Sequence, residues 1–180
     1  TANTWSHVAL VKNGNNLYLY IDGVNEDTVA TAAGVAFGGV GGTMWIGWSV
    51  INGSNYPFKG NMDEFRISKI ARYPSGTTFT PSTTAFVDDL HTVKLLHFDG
   101  GGGISATTSQ PTLPGEGTYF YHSSVPAIFY DAATGIPTNK SVINFAGSAD
   151  YLEVADSEDW NVGTGDFTVE AWTFMYDSGA

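Results

Sequence analysis

The run Leu17-Tyr18-Leu19-Tyr20-Ile21-Asp22 constrains this chain more than any other. Its period of two sets Leu17, Leu19 and Ile21 on one face and Tyr18, Tyr20 and Asp22 on the other, which fits a strand and no helix. The preceding run, His7 to Val11, is mostly apolar. Between them Lys12-Asn13-Gly14-Asn15-Asn16 supplies the Asn-Gly dipeptide of a tight hairpin, and Asp22-Gly23 turns the chain again.

The same reading predicts strands at Thr43–Trp48, Asn61–Ser68, Val93–Phe98, Ser141–Phe145, Tyr151–Val154 and Phe167–Tyr176. Turn chemistry separates them at Asn52-Gly53-Ser54, Pro57, Ser75-Gly76, Gly100 to Gly103 and Gly147. Many short strands with Gly- and Pro-rich turns predict an antiparallel all-β sandwich or barrel. Only Ser68–Tyr73 and Ser157–Trp160 leave room for a short helical turn. Segment 106–117 reads as a polar loop with Pro111 and Pro114. A composition shift near Thr80–Thr92 marks a candidate boundary.

Charge narrows the partners. Residues 1–86 balance Lys12, Lys59, Arg66, Lys69 and Arg72 against Asp22, Glu26, Asp27, Asp63 and Glu64. Beyond them only Lys94 and Lys140 are basic, so the whole net charge of −11 lies in residues 87–180. Such a chain repels a phosphate backbone and an anionic leaflet, which argues against nucleic acid and membrane surfaces. No apolar run approaches the roughly 18 residues of a spanning helix, so membrane insertion is not expected. The sequence has no cysteine, which excludes disulfides, thiolate metal sites and cysteine nucleophiles. Thr1-Ala2-Asn3-Thr4-Trp5 is neither a signal peptide nor an initiator, so a chain cut from something longer is expected.

The order of pieces carries a resemblance. Trp5-Ser6-His7-Val8-Ala9, Leu17 to Gly23, Trp45-Ile46-Gly47, and above all Phe58-Lys59-Gly60-Asn61-Met62-Asp63-Glu64-Phe65-Arg66-Ile67-Ser68 make residues 1–86 resemble the second half of a concanavalin A-like lectin domain of the laminin G type, bacterial or phage in character. Residues 93–180 resemble the first half, through Leu95-Leu96-His97-Phe98-Asp99-Gly100, Asp150-Tyr151-Leu152 and Gly163-Thr164-Gly165-Asp166-Phe167-Thr168-Val169-Glu170-Ala171-Trp172. Residues 87–92 read as the linker. The halves stand in inverted order, as in a window cut from tandem repeats, a circular permutant, or half-sandwiches that complete each other between chains.

The resemblance implies an antiparallel jelly-roll β-sandwich. It also implies a non-catalytic glycan-binding or adhesion module at an extracellular, cell-surface or virion-surface location. The alternative is a structural block of a fibre, with neighbouring copies of the chain as partners. The family pattern expects middle strands after Phe167–Tyr176. Their absence predicts that this segment, or Trp5–Val11, pairs with another chain.

Candidate sites follow. If the Tyr18 and Tyr20 face is solvated, its rings offer a stacking platform for sugars, which Trp45 joins by alternating away from Met44, Ile46 and Trp48. The alternative is that both faces of the sheet are packed. Alternation puts Asp63 on the apolar face of Phe65 and Ile67, where a carboxylate needs a hydrogen-bond network or a cation. In the family the matching Asp often helps hold structural calcium, and Asp99, in Phe98-Asp99-Gly100, is a candidate oxygen ligand from the other half. The alternative is a strand cap through backbone N–H groups. His122 stands where a related segment usually bears Asp. Glu153, Asp156 and Glu158 lack the close spacing of glycosidase acids and read as a solvated acidic loop, so no enzyme is expected.

Overall fold

The computed structural model describes residues 2–30, 34, 36, 43–98, 119–122 (backbone), 142–147, 150–154 and 162–177. All regular structure among them is strand, in antiparallel sheets. Residues 69–73 form bends rather than a helical turn.

The Asn-Gly signal makes the expected hairpin: β1 (Trp5–Asn13) pairs with β2 (Asn16–Ile21), with Gly14 at φ +57°. Strand β3 (Val24–Ala30) follows across Asp22-Gly23 and pairs with β2. Strands β4 (Met44–Ile46), β5 (Trp48–Ile51) and β6 (Ser54–Pro57) come next, then the long β7 (Lys59–Ser68). After the irregular segment come β8 (Thr92–Leu96), β9 (Tyr119–His122), β10 (Ile143–Ala146), β11 (Tyr151–Val154) and β12 (Phe167–Met175).

The large sheet runs β10-β7-β12-β1-β2-β3, with β8 also on β7. The Val93–Phe98 segment pairs with Asn61–Ser68: Phe65 stands opposite Leu96 and Arg66 opposite Leu95. The expectation that Trp5–Val11 or Phe167–Tyr176 pairs with another chain is corrected. These two strands pair with each other, from Trp5 opposite Phe174 to Lys12 opposite Phe167. Strands from both sides of residues 87–92 therefore interleave in one sheet, and neither is left as an open edge.

A small sheet, β4-β11-β9, lies over part of the large one. Ile46, Leu152 and Val154 from the small sheet bury against Phe65, Ile67, Leu96, Ile143, Phe145 and Ala171 from the large. This is the sandwich core, ordered by alternation in both layers.

The opposite face of the large sheet is packed as well. Ala9, Val11, Tyr18 and Tyr20 bury beneath Ala71, Tyr73 and Phe79 of the irregular segment after β7. Tyr20 is 0% exposed and Tyr18 9%, so the expected sugar platform on these rings is corrected: they are core. A buried phenol needs partners. The Tyr20 hydroxyl donates to the Tyr73 carbonyl at 2.9 Å and accepts from the Gly76 amide at 3.1 Å. Leu19 and Ile21, on the other face, remain 36% and 37% exposed.

One buried ionic group ties three strands to that segment. Glu170 of β12 accepts from the Arg66 guanidinium of β7 at 2.6 and 2.8 Å and from the Tyr73 hydroxyl at 2.7 Å. His7 Nε2 of β1 lies 3.1 Å from the same carboxylate. The Arg66 guanidinium lies 4.1 Å over the Phe86 ring. Burial raises the proton affinity of Glu170, but the bond from His7, the charge of Arg66 and the Tyr73 hydroxyl outweigh it and hold the carboxyl below its usual value. Burial, reinforced by the adjoining Glu170 charge, pushes Tyr73 well above the usual phenol range.

Candidate functional site

The outer face of the small sheet gathers the aromatic side chains that the core leaves out. Met44 and Ile46 point inward, so alternation turns Trp45 outward, and it is 45% exposed. On β11, Leu152 and Val154 go to the core, which puts Tyr151 and Glu153 on the same outer face. The β4–β11 register sets Glu153 directly opposite Trp45. The Trp45 and Tyr151 rings lie 5.6 Å apart, tilted by 52°.

Trp48 joins them against expectation. Simple alternation places it with Met44 and Ile46, but Gly47 breaks the strand with φ +86°. That break resets the alternation and brings the Trp48 ring to 6.0 Å from Tyr151. Tyr151 thus touches both indoles. Just past Trp48, β5 and β6 form a hairpin closed by Asn52 and Gly53 at φ +51° and +77°, the paired positive values of a type I′ turn. Its Val50, Ile51 and Tyr56 side chains are about half exposed. The amide of Phe58 donates to the Gly47 carbonyl at 2.8 Å and fixes the hairpin base beside the three rings.

This arrangement sets aromatic rings beside a carboxylate on the outer face of the small sheet and its adjoining hairpin. Such a surface suits a ligand with both C–H faces and hydroxyl donors. Of the rings expected in the site, Trp45 lies here and Tyr18 and Tyr20 do not. Trp48 and Tyr151 were missing from the expected set, and Glu153 sits on a strand rather than in an acidic loop. Asp156 and Glu158 lie outside the described residues.

Asp63 has another setting. A β-bulge opposite Ala171, with Glu64 at φ +51°, sets two residues of β7 against one of β12. The alternation therefore slips by one. Met62 joins Phe65 and Ile67 in the core, and Asp63 leaves their face to stand opposite Trp172. This corrects the expected shared face. Asp63 Oδ1 accepts the Glu64 amide at 2.9 Å, which is the strand-cap arrangement. Glu64 itself accepts the Phe86 amide at 2.7 Å and lies 2.9 Å from His97 Nδ1. Asp99 lies outside the described residues, as does the side chain of His122. Among the described residues no three of His, Asp and Glu gather as a metal site.

Comparison with known proteins agrees with this architecture. Residues 1–75 match a laminin G family model of the concanavalin A-like lectin/glucanases superfamily. No curated protein and no solved structure matches the chain.

Proposed function

We propose that this concanavalin A-like sandwich is a non-catalytic glycan-binding module, displayed outside the cell or on a virion as one repeat of a larger protein. The observation that carries the reading is the aromatic shelf of exposed Trp45 with the half-buried Tyr151 and Trp48, a cluster on the outer face of the small sheet and the adjoining hairpin. An exposed indole backed by two further rings is an apolar patch of the kind that meets a partner. A sugar stacked on one or two rings gains little, so single-site binding of roughly millimolar strength, about −4 kcal/mol, is expected. Useful adhesion then comes from many copies presented together.

The alternative of a fibre block completed by strands from neighbouring copies rested on open edges at Trp5–Val11 or Phe167–Tyr176. Their pairing with each other removes that support. The test is a glycan array probed with multivalent protein, wild type against a Trp45→Ala, Trp48→Ala double variant checked for folding by circular dichroism. Loss of binding in the variant supports the shelf. Equal binding by both removes it from the site, and binding by neither turns the reading to a structural block.

A further inference from the structure

We infer, resting on the glycan-binding reading above, that the shelf takes an internal stretch of a single polysaccharide chain, and that the β5–β6 hairpin extends the site along that chain. The register carries the shelf face onto the hairpin. Trp48 and Val50 stand two residues apart on β5 and so share a face, about 7 Å apart along the strand. The same ladder sets Pro57 opposite Trp48 and Asn55 opposite Val50. Residues directly opposite in a ladder share a face as well. The face that begins at Trp45 therefore runs through Tyr151 and Trp48 to Val50 and Asn55, and these last two are exposed.

A sugar ring is about the size of one six-membered aromatic ring, so a lone sugar leaves most of this face in water. Consecutive units of one chain cover it together, and each added unit removes further apolar surface. Val50 meets C–H faces as the rings do, and the Asn55 amide both donates to and accepts from hydroxyls. The tilts select against a flat ligand. Tyr151 is inclined by 52° to Trp45 and by 45° to Trp48. A planar crystalline face that lies flush with one of these rings meets its neighbour only at an edge. A single chain turns at each glycosidic bond and presents successive sugar faces at different angles, which a stepped surface matches. The right-handed twist of a two-stranded ribbon carries the rotation on toward Val50.

The experiment titrates wild type, a Val50→Ser, Asn55→Ala double variant and Trp45→Ala with oligosaccharides of increasing length, from single sugars to hexamers, of β-glucan, xylan, mannan and galactan. Ligand-observed NMR reads the affinities. Retention on crystalline cellulose and chitin is measured beside soluble hydroxyethylcellulose and glycol chitin. In the series that binds, wild type is expected to hold the tetramer about tenfold or more tightly than the single sugar. The hairpin double variant, checked for folding by circular dichroism, should lose most of that gain. Equal affinity for single sugar and tetramer, lost in Trp45→Ala, overturns the inference and keeps the glycan-binding reading. Stronger retention on a crystalline solid than on its soluble counterpart, lost in Trp45→Ala, does the same. A full gain with length in the double variant overturns the role of the hairpin. Absence of binding to every glycan by folded wild type overturns both.

Discussion

Gly47 lies flat against the ring of Phe145, so close that a β-carbon on Gly47 would stand 2.5 Å from the ring Cε1. The contact joins the core to the shelf. Phe145 is fully buried between the sheets, and Gly47 is the break that turns Trp48 outward. A side chain here meets both a left-handed backbone, at φ +86°, and a packed ring that cannot retreat. Gly47→Ala is therefore expected to destabilise the fold by about 2–4 kcal/mol. It should also disturb Trp48, seen as a change in tryptophan fluorescence. A denaturant midpoint and emission spectrum like those of wild type would contradict this placement.

The Glu170 group predicts the response to acid. Its carboxyl is held below the usual value by His7, Arg66 and Tyr73 despite burial. A carboxylate depressed in the folded state adds stability above its unfolded pKa, about 4.3, and that stability is lost as pH falls through the folded value. The melting temperature should decline below about pH 4.3. Exposed Asp89, held low chiefly by its hydrogen bond from Arg72, has the same sign. Glu170→Gln leaves Arg66 without its buried partner and should cost about 3–5 kcal/mol at neutral pH. It should also flatten the acid slope, measured by thermal melts across pH. An equally steep slope in that variant would refute the assignment.

The Tyr73 hydroxyl predicts the alkaline side. A phenol raised in the folded state contributes stability that is intact below its unfolded pKa, about 10, and is lost as pH rises through the folded value. Tyr73 and Tyr20 both have this sign, with burial as the main cause. Tyrosinate absorbance should therefore show at least these two phenols ionising only as the protein unfolds. Tyr73→Phe removes the 2.7 Å bond to Glu170 and should cost about 1.5–3 kcal/mol, because the acceptor is charged. Ring packing on Phe79, 3.5 Å away and parallel, is kept in that variant.

Much of this fold is readable where alternation and turn chemistry agree. The β1–β2 hairpin, β7, β8, β11 and β12 follow from local pattern, whereas the β7–β8 pairing joins segments far apart in the chain and is not marked by it. Strand β3 escapes notice because Asn25, Glu26 and Asp27 give it a polar sequence; pairing with β2 forms it instead. The β5–β6 hairpin hides behind its own turn residues. The fate of Tyr18 and Tyr20 is set by residues 71–79, which have no periodicity to announce that they cover a sheet. The two errors of face, at Asp63 and Trp48, share one cause. A bulge at Glu64 and a break at Gly47 each shift a period-two pattern by one residue, and nothing in the alternation itself marks where the shift falls.

The last prediction concerns the segment between the two halves of the sequence. Val87 and Leu90 are 74% and 88% exposed, whereas the strands on either side are hydrogen-bonded across it. Strand β7 pairs with β8, β10 and β12, β1 pairs with β12 and β4 pairs with β11, so five ladders connect residues before 87 with residues after 92 among the described residues. The Glu170 group adds a buried ionic tie of the same kind, from β12 to β1 and β7. A chain cut here loses one covalent link but none of these contacts. A protease site inserted between Val87 and Asp88 should be cleaved readily, because exposed irregular backbone is where nicking occurs. The two fragments should then co-elute as one species in native size exclusion and separate only in denaturant. A modest fall in melting temperature that depends on protein concentration is expected, since the cut turns folding into an association. Fragments that part under native conditions, each keeping its own strand signal by circular dichroism, would mean that the two segments fold as independent units and that the shared sheet is wrong.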